Sequence, residues 1–372
     1  MIYLDNAATT MPKPPEVLQA VHSALLTCAG LGRSGHEAAR KAAEIAFDCR
    51  DAAGELFETD PEQVVFTLNA THGLNIAIRT LVHPGDTVVV SGYEHNSVLR
   101  PLYALGARII PVTGKLFDPE SMLEDFDRAI TPSVKAVVCC HVSNVFGGIA
   151  PLEEIAAICR DRNVALIVDA AQSAGILPIS LQKLGAAFIA MPGHKGLYGP
   201  QGTGLLLCGQ KPEPFLYGGT GSLSRSPEMP PFLPDRAEAG TQNMPGIAGL
   251  LAGIRFVSQM GPNQIRNHEK RLLDSLNRQL RTIPGIQTYY SSSNQTGVLS
   301  FTVQDMDCER LGGLLSDQGF AVRAGLHCAP LAHRSAGTLQ TGTVRVSFSA
   351  YNTLEETNRF AETVEELLSG AR

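Results

Sequence analysis

Short apolar stretches alternate with helical segments from about residue 63 to residue 208, and this alternation limits the possible folds more than any other feature. The stretches are continuously apolar, which is typical of strands buried on both faces. Strands of that kind, separated by helices, predict a mostly parallel sheet covered by helices. Ligands of such sheets bind beyond the carboxyl ends of the strands. The predicted strands are 63–67, 87–91, 107–112, 134–141, 164–169, 187–191 and 204–208.

The rest of the chain predicts a second, smaller lobe. Residues 211–246 are rich in proline and glycine and break the alternation, so we expect a long excursion there. The first fifteen residues predict an extended N-terminal arm. We expect a large domain over 16–246 and a small domain made of 1–15 together with 247–372. The elements predicted for the later part are a long helix over 246–281 interrupted near 261–262, strands 286–290, 297–303, 320–324 and 343–349, and helices 306–318 and 353–369.

Composition argues against several classes of function. The net charge of −6 argues against a nucleic acid or an anionic membrane as the main partner. No apolar run approaches the roughly 18 residues that span a bilayer, and the first residues lack the pattern of a secretory signal. We therefore expect a cytoplasmic protein. The eight cysteines show no C-x-x-C spacing, so most of them should be small buried side chains.

One lysine, Lys195, lies in a glycine-rich loop about 25 residues after the buried strand that ends in Asp169. Glycines allow the backbone to approach a bulky ligand, and a carboxylate at a strand end can hold a cationic ring. Together they predict pyridoxal phosphate (PLP), bound as a Schiff base to Lys195 with Asp169 at the pyridine nitrogen. The alternatives are a solvated surface lysine and an aspartate that caps the next helix.

Three further positions are candidates for holding this cofactor. Thr71-His72-Gly73 comes at the start of a helix predicted over 73–81, so its amides and the Thr71 hydroxyl can bind a phosphate, although a simple helix cap is equally compatible. His194 is a further phosphate candidate. His95 follows a predicted strand and can stack on the ring and pass protons, whereas a lone histidine is more often structural.

The segment 323–330 adds a thiol, Cys328, in a loop that also contains an arginine and a histidine. Positive neighbours favour the nucleophilic thiolate. A metal site made of His327, Cys328 and His333 is the alternative, but no ligand spacing supports it, and we expect no metal. Arg345, on the next strand, can clamp a substrate carboxylate or form a structural ion pair.

These motifs resemble the PLP-dependent class V aminotransferase superfamily and, within it, the group II cysteine desulfurases, the branch similar to selenocysteine lyases. The similarity covers nearly the whole chain. It implies PLP-transferase fold type I, an α/β fold with a mostly parallel seven-stranded sheet and a smaller α+β C-terminal domain. The motifs that carry it are Tyr3–Thr10, Ala70–Asn75, Glu94-His95, His141–Asn144, Asp169–Gln172, Gly193–Lys195, Glu238–Thr241, Arg323 with Cys328, Arg345 and Tyr351–Thr353.

The resemblance also implies roles for individual residues. Lys195, His95 and Cys328 are the implied catalytic residues, and Cys328 takes the sulfur of L-cysteine as a persulfide while alanine is released. A phosphate ligand from a second subunit implies a homodimer, and a separate sulfur-acceptor protein and iron–sulfur cluster assembly are expected of this group. The implied cofactor ligands are Thr71, His72, His95, Asn144, Asp169, Gln172, His194, Lys195 and the partner subunit's Thr241, and the implied substrate ligands are Asn144, Arg323 and Arg345.

Two positions depart from the pattern of the family. Pro192 stands where serine or threonine is usual, so another group or a water must supply one phosphate hydrogen bond. His72 stands where glutamate is common, which changes the charge near the phosphate. A PLP-dependent cysteine desulfurase is the leading expectation. A selenocysteine lyase, another class V aminotransferase or lyase, and a non-enzymatic scaffold are the alternatives.

Overall fold

The computed structural model describes residues 1–31 and 34–370. Its strands are β1 (Ile2–Tyr3), β2 (Val64–Thr67), β3 (Thr87–Ser91), β4 (Arg108–Val112), β5 (Val134–Cys140), β6 (Ala165–Asp169), β7 (Phe188–Pro192), β8 (Gly204–Cys208), β9 (Ile286–Tyr289), β10 (Val298–Val303), β11 (Phe320–Ala321), β12 (Arg323–Gly325) and β13 (Thr343–Ser347). Its helices are α1 (Pro15–Thr27), α2 (Glu37–Phe57), α3 (Ala70–Leu81), α4 (Asn96–Ala104), α5 (Pro119–Ala129), α6 (Leu152–Asp161), α7 (Leu181–Leu184), α8 (Met244–Met260), α9 (Pro262–Leu280), α10 (Cys308–Asp317), α11 (Pro330–Ser335) and α12 (Leu354–Gly370).

The predicted mostly parallel sheet is confirmed and has seven strands in the order β2-β8-β7-β6-β5-β3-β4. Strand β8 runs antiparallel to β2 and β7, and the other neighbouring strands of this sheet pair in parallel. Successive residues of a strand face opposite sides of the sheet. Val88 and Val90 of β3 therefore pack with α3 and α4, whereas Val89 packs into the core that α2, α5, α6 and α8 help to form. Burial on both faces explains why these strands are continuously apolar.

A second core lies around a four-stranded antiparallel sheet with the order β12-β13-β10-β9. The N-terminal arm joins this core, because β1 pairs in parallel with β11 and Leu4 is fully buried there. The single strand expected over 320–324 is therefore two strands, which belong to two different sheets. The domain division expected from the sequence stays a prediction. Helix α8, which that division gives to the small domain, contributes Leu250 and Ile254 to the core of the large sheet.

Two helix boundaries have clear local causes. Helix α3 begins at Ala70, three residues before the predicted start, because the Asn69 side chain accepts a hydrogen bond from the His72 amide and caps the helix. The interruption expected in the long helix is confirmed at Gly261, whose φ of 81° ends α8 before Pro262 starts α9. Among the residues described, no helix has the length and apolar character needed to cross a bilayer.

Candidate active site

A cavity of about 330 Å³ lies at the carboxyl edge of the large sheet. The last residues of three neighbouring strands, Cys140, Asp169 and Pro192, line it, in the position that such sheets use for ligands. The structure brings most of the predicted site residues together around this cavity. They are Thr71, His95, Asn144, Asp169, Gln172, His194, Lys195, Arg323 and Arg345.

Lys195 and Asp169 supply an amine and a carboxylate to the same cavity. Burial lowers the pKa of Lys195 to about 8, and the charge of Asp169 opposes that change. Burial raises the pKa of Asp169, which is 4% exposed, while a hydrogen bond from the Ala171 amide (2.9 Å) and the charge of Lys195 oppose the rise. Asp169 therefore caps the following turn, as the alternative held, and also faces the cavity. The arrangement makes a neutral, nucleophilic amine accessible near neutral pH.

The glycines around Lys195 were expected to let a ligand approach the backbone. The structure gives a different reason for them, which is close packing within the protein. A Cβ at Gly196 would lie 2.3 Å from the carbonyl oxygen of Ala174, and a Cβ at Gly193 would lie 2.2 Å from Thr203 Oγ1. Both contacts are too short for any other residue type. The glycines therefore allow the Lys195 loop to pack tightly against its own protein.

His95 serves as the N-cap of α4 and as part of the cavity wall. Its Nδ1 accepts a hydrogen bond from the Ser97 amide (3.0 Å), so in the neutral ring the proton lies on Nε2. Burial lowers the pKa of His95 to about 4, and the charge of Lys195 adds to this. A neutral ring that carries a proton on Nε2 is therefore presented at neutral pH.

One end of the cavity suits an anion. Ala70 and Thr71 are the first residues of α3, so their amides have no acceptor in a preceding helical turn. His194 contributes Nδ1, which is buried and has no partner among the described residues. Pro192 lies in the same wall and has no N–H to donate. His194 Nδ1 is thus a free polar atom beside the position where the expected serine or threonine is missing.

Arg345 is only 1% exposed and is held from two sides. Its Nη2 donates to Asp5 Oδ1 (2.6 Å) and its Nη1 donates to the Asn144 carbonyl (2.8 Å), while Nε has no partner in the described chain. Arg345 therefore forms the structural ion pair that the alternative proposed and also lines the cavity. The sequence analysis gave Asp5 no individual role, and only its position in the motif Tyr3–Thr10 pointed to it.

The Gln172 amide nitrogen donates to the Ala7 carbonyl (2.9 Å), so it fastens the N-terminal arm to the cavity wall. The arm also holds the Lys195 loop, because the Thr10 amide and Lys13 Nζ both donate to the His194 carbonyl (3.0 and 2.8 Å). The sequence analysis gave Lys13 no role, because its partner, the His194 carbonyl, is distant in the chain. The arm is therefore a structural part of the site.

Two predicted cofactor ligands do not line this cavity. His72 turns away, since its Nδ1 accepts a hydrogen bond from the Leu68 amide (3.2 Å) and its ring centroid lies 5.9 Å from that of Phe215. Thr241 lines a separate pocket together with Gln242. His72 as a cofactor ligand stays a prediction, although its side chain lies outside the cavity, whereas Thr241 was expected to act on a partner's site.

Cys328 lies at the exposed side of the site, and Arg323 Nη2 is 3.7 Å from its Sγ. His327 and Cys328 both adopt left-handed backbone conformations, with φ of 49° and 58°. Two hydrogen bonds from segments at the edge of the large sheet hold this loop. The amide nitrogen of Asn144, which follows β5, donates to the His327 carbonyl (2.9 Å), and the backbone amide of Asn96, the first residue of α4, donates to the Cys328 carbonyl (2.8 Å). The loop is thus fixed by its backbone while the thiol remains accessible.

The other cysteines and the histidines near Cys328 have structural surroundings. Seven cysteines besides Cys328 are free, and all of these except the half-buried Cys28 are buried, as expected. The rings of His327 and His333 stack with centroids 5.6 Å apart. In residues 1–31 and 34–370, no three His, Cys, Asp or Glu side chains are grouped as metal ligands.

Comparison with known proteins gives consistent results. The family model described as aminotransferase class-V matches residues 2–360. A protein of Methanothermobacter thermautotrophicus named probable cysteine desulfurase is 34% identical over 98% of this chain and 94% of its own length. A protein of the same name from Pyrococcus abyssi is 33% identical over the whole of this chain and 95% of its own length. The solved structure of an apo cysteine desulfurase from Thermococcus onnurineus superposes with a TM-score of 0.91 at 33% identity, covering 99% of this chain and 95% of that one.

Proposed function

The chain belongs to the aminotransferase class-V family, and we propose that it is a PLP-dependent cysteine desulfurase that converts L-cysteine to L-alanine and passes the sulfur to Cys328. The observation that carries this proposal is a single site with a buried amine and an accessible thiol. Lys195 and Asp169 face the cavity, and Arg323, which lines it, reaches Cys328. Ordinary transamination needs no thiol in that position.

The residues around the cavity fit PLP. Asp169 suits a protonated pyridine nitrogen, and the start of α3 with the unpartnered His194 Nδ1 suits the phosphate. His194 Nδ1 can supply one phosphate hydrogen bond, whereas Pro192 supplies none. When bound, PLP supplies an electron sink for the negative charge that develops on the substrate carbon.

We propose the following tasks for the other residues of the cavity. Lys195 binds the cofactor through its amine and moves protons to and from the substrate carbon. His95 would pack against the cofactor ring and would offer its Nε2 proton to the substrate. Gln172 and Asn144 line the cavity and would bind the ring oxygen and the substrate. Each of these groups is already oriented by a hydrogen bond or by burial.

Arg345 and Arg323 are the proposed ligands of the substrate carboxylate. Arg345 keeps Asp5 and the Asn144 carbonyl as partners and offers its unpartnered Nε side to the ligand. The Cys328 thiolate then attacks the sulfur of L-cysteine. A sulfur–sulfur bond forms, the carbon–sulfur bond breaks, and the electron pair stays on carbon, which Lys195 protonates to give alanine.

We also propose a homodimer in which the partner subunit's Thr241 completes the phosphate site. The support is that Thr241 lines a separate pocket of its own chain. A mixture of Lys195→Ala and Thr241→Ala chains tests this, because mixed dimers contain one intact site and should regain activity that neither parent has. Delivery of the sulfur to an acceptor protein, iron–sulfur cluster assembly and a cytoplasmic location remain predictions.

The decisive experiment is to incubate the purified protein with PLP, L-cysteine and a reducing agent, and to measure alanine and sulfide. Equal amounts of the two products support the proposal, and alanine without sulfide contradicts it. Turnover of L-selenocysteine, measured in parallel, separates a desulfurase from a selenocysteine lyase. The control is Cys28→Ser, which alters a half-buried cysteine that does not line the cavity and should leave both products unchanged.

A further inference from the structure

The short turn between β3 and α4 carries His95, and a buried carboxyl group anchors it. Glu94 is fully buried, and its Oε1 accepts hydrogen bonds from Ser91 Oγ (2.5 Å) and from the Cys140 amide (2.6 Å). Ser91 and Cys140 are the last residues of β3 and β5, which are neighbouring strands. One side chain therefore ties the turn to the ends of two strands at the edge of the cavity.

This carboxyl group has no ion-pair partner in the part of the chain that the structure describes, and its Oε2 has no hydrogen-bond partner there. Burial raises the pKa of Glu94 to about 8, and the charge of Asp169 adds to the rise. Burial of a carboxyl group costs free energy unless hydrogen bonds compensate it, and here the bonds to Oε1 compensate it only in part.

The segment after Glu94 contains His95 and also contacts the backbone of Cys328. His95 Nδ1 accepts a hydrogen bond from the Ser97 amide, which fixes the ring against the start of α4. The next residue, Asn96, donates its amide to the Cys328 carbonyl (2.8 Å). The anchored turn therefore supports the ring of His95 and the backbone of Cys328 together.

We infer that Glu94 is a positioning residue that holds His95, and through Asn96 the Cys328 loop, in place for the reaction. The expected effect on catalysis rests on the proposed function. The placement of His95, however, can be measured whether or not that function is correct. Hydrogen bonding, rather than charge, carries the effect.

The test is an NMR titration of His95 in apo-protein labelled with ¹⁵N-histidine, with His95→Gln used for assignment. In the parent protein the pKa of His95 is about 4, because the ring is buried and faces cationic Lys195, Arg323, Arg100 and Arg345. Glu94→Ala frees the turn and admits water to the ring. The pKa of His95 should then rise by at least about one unit, toward its ordinary value.

Two further variants separate positioning from general loss of stability. Glu94→Gln retains an oxygen for the Ser91 and Cys140 donors and should restore the parent titration. Glu269→Ala removes another buried glutamate, on α9, whose pKa burial also raises to about 8, and should leave His95 unchanged. If Glu94→Ala does not fold, Ser91→Ala removes one of the two hydrogen bonds and should give a smaller rise.

Steady-state kinetics with L-cysteine supply the second readout. Glu94→Ala should lower kcat about tenfold with little change in KM, since it disturbs His95 and Cys328 and leaves Arg345 in place. An unchanged His95 titration in Glu94→Ala, or an equal shift in Glu269→Ala, would overturn the inference. If the parent protein makes no alanine, the proposed function fails while the His95 titration still decides the role of Glu94.

Discussion

The two side chains that we propose to be reactive, Lys195 and Cys328, lie in opposite surroundings. Lys195 lies in a tight glycine loop, where burial lowers the pKa of its amine to about 8. Cys328 is exposed, and within residues 1–31 and 34–370 its thiol has one side-chain hydrogen-bond contact, with Arg323. The difference matches two different needs, because a neutral amine requires exclusion of water, whereas a sulfur that must leave the enzyme requires access from outside.

Replacement of Lys195 by alanine should give the largest effect, because it removes both the cofactor attachment and the proton carrier. We expect the rate of alanine formation to fall by about 10⁴-fold. The visible absorbance of the protein–cofactor adduct should also disappear. The control is Lys183→Ala, which removes an exposed lysine that pairs with Glu58 away from the cavity and should leave both readouts unchanged. Unchanged absorbance in the Lys195 variant would refute its assignment.

Replacement of Cys328 by alanine should impair sulfide formation without affecting the binding of the cofactor. Sulfide formation should fall by about 10²-fold or more. The cofactor absorbance should stay as in the parent protein, because Cys328 does not line the cavity. Parallel measurement of spectrum and sulfide release checks both points. Retained sulfide formation would remove Cys328 from the mechanism.

The sequence predicted the large sheet because strands buried on both faces leave a continuous apolar pattern. It predicted Lys195 and Asp169 for a related reason, since Asp169 ends such a strand and Lys195 follows another, at the edge where ligands bind. It placed the start of α3 at residue 73 because the cap by Asn69 lies before the apolar pattern begins. Local signals of this kind predict the presence of a helix or strand more reliably than its first and last residues.

Contacts between distant residues were not predictable from the single sequence. The ion pair of Arg345 with Asp5 joins opposite ends of the chain, and the hydrogen bond from Asn96 to Cys328 joins the two lobes. The split of residues 320–325 into two strands depends on pairing with β1 and β13, which no local pattern records. The orientation of His72 toward Phe215 is likewise set by tertiary packing.

Arg345 lines the cavity, and its replacement by lysine should weaken the binding of the substrate. Lysine keeps a positive charge beside Asp5 but loses the planar fork that suits a carboxylate. We expect KM for L-cysteine to rise about tenfold, which corresponds to about 1.4 kcal/mol, with a smaller change in kcat. Steady-state kinetics measure this. A change in kcat alone would place Arg345 outside carboxylate binding.

The lowered pKa of Lys195 predicts how the apo-protein captures PLP. Only the neutral amine attacks the carbonyl, so the capture rate should rise about tenfold between pH 6 and pH 7 and level off above pH 9. Stopped-flow absorbance measures the rate. Asp169 raises the pKa of Lys195, so Asp169→Asn should move the midpoint to lower pH. A rate that still climbs tenfold per unit at pH 9 would show that the amine is not desolvated.

The smallest predicted effect concerns the backbone at Cys328, whose φ of 58° favours glycine. Cys328→Gly should be more stable than Cys328→Ala by about 1 kcal/mol in urea unfolding of the apo-protein. The matched control is Leu326, an exposed residue two positions earlier that does not have a left-handed conformation. There the order should reverse, with glycine less stable than alanine by about 0.5–1 kcal/mol. The same order at both positions would mean that the loop relaxes freely, and the accessible thiol would then owe its place to hydrogen bonds rather than to a strained backbone.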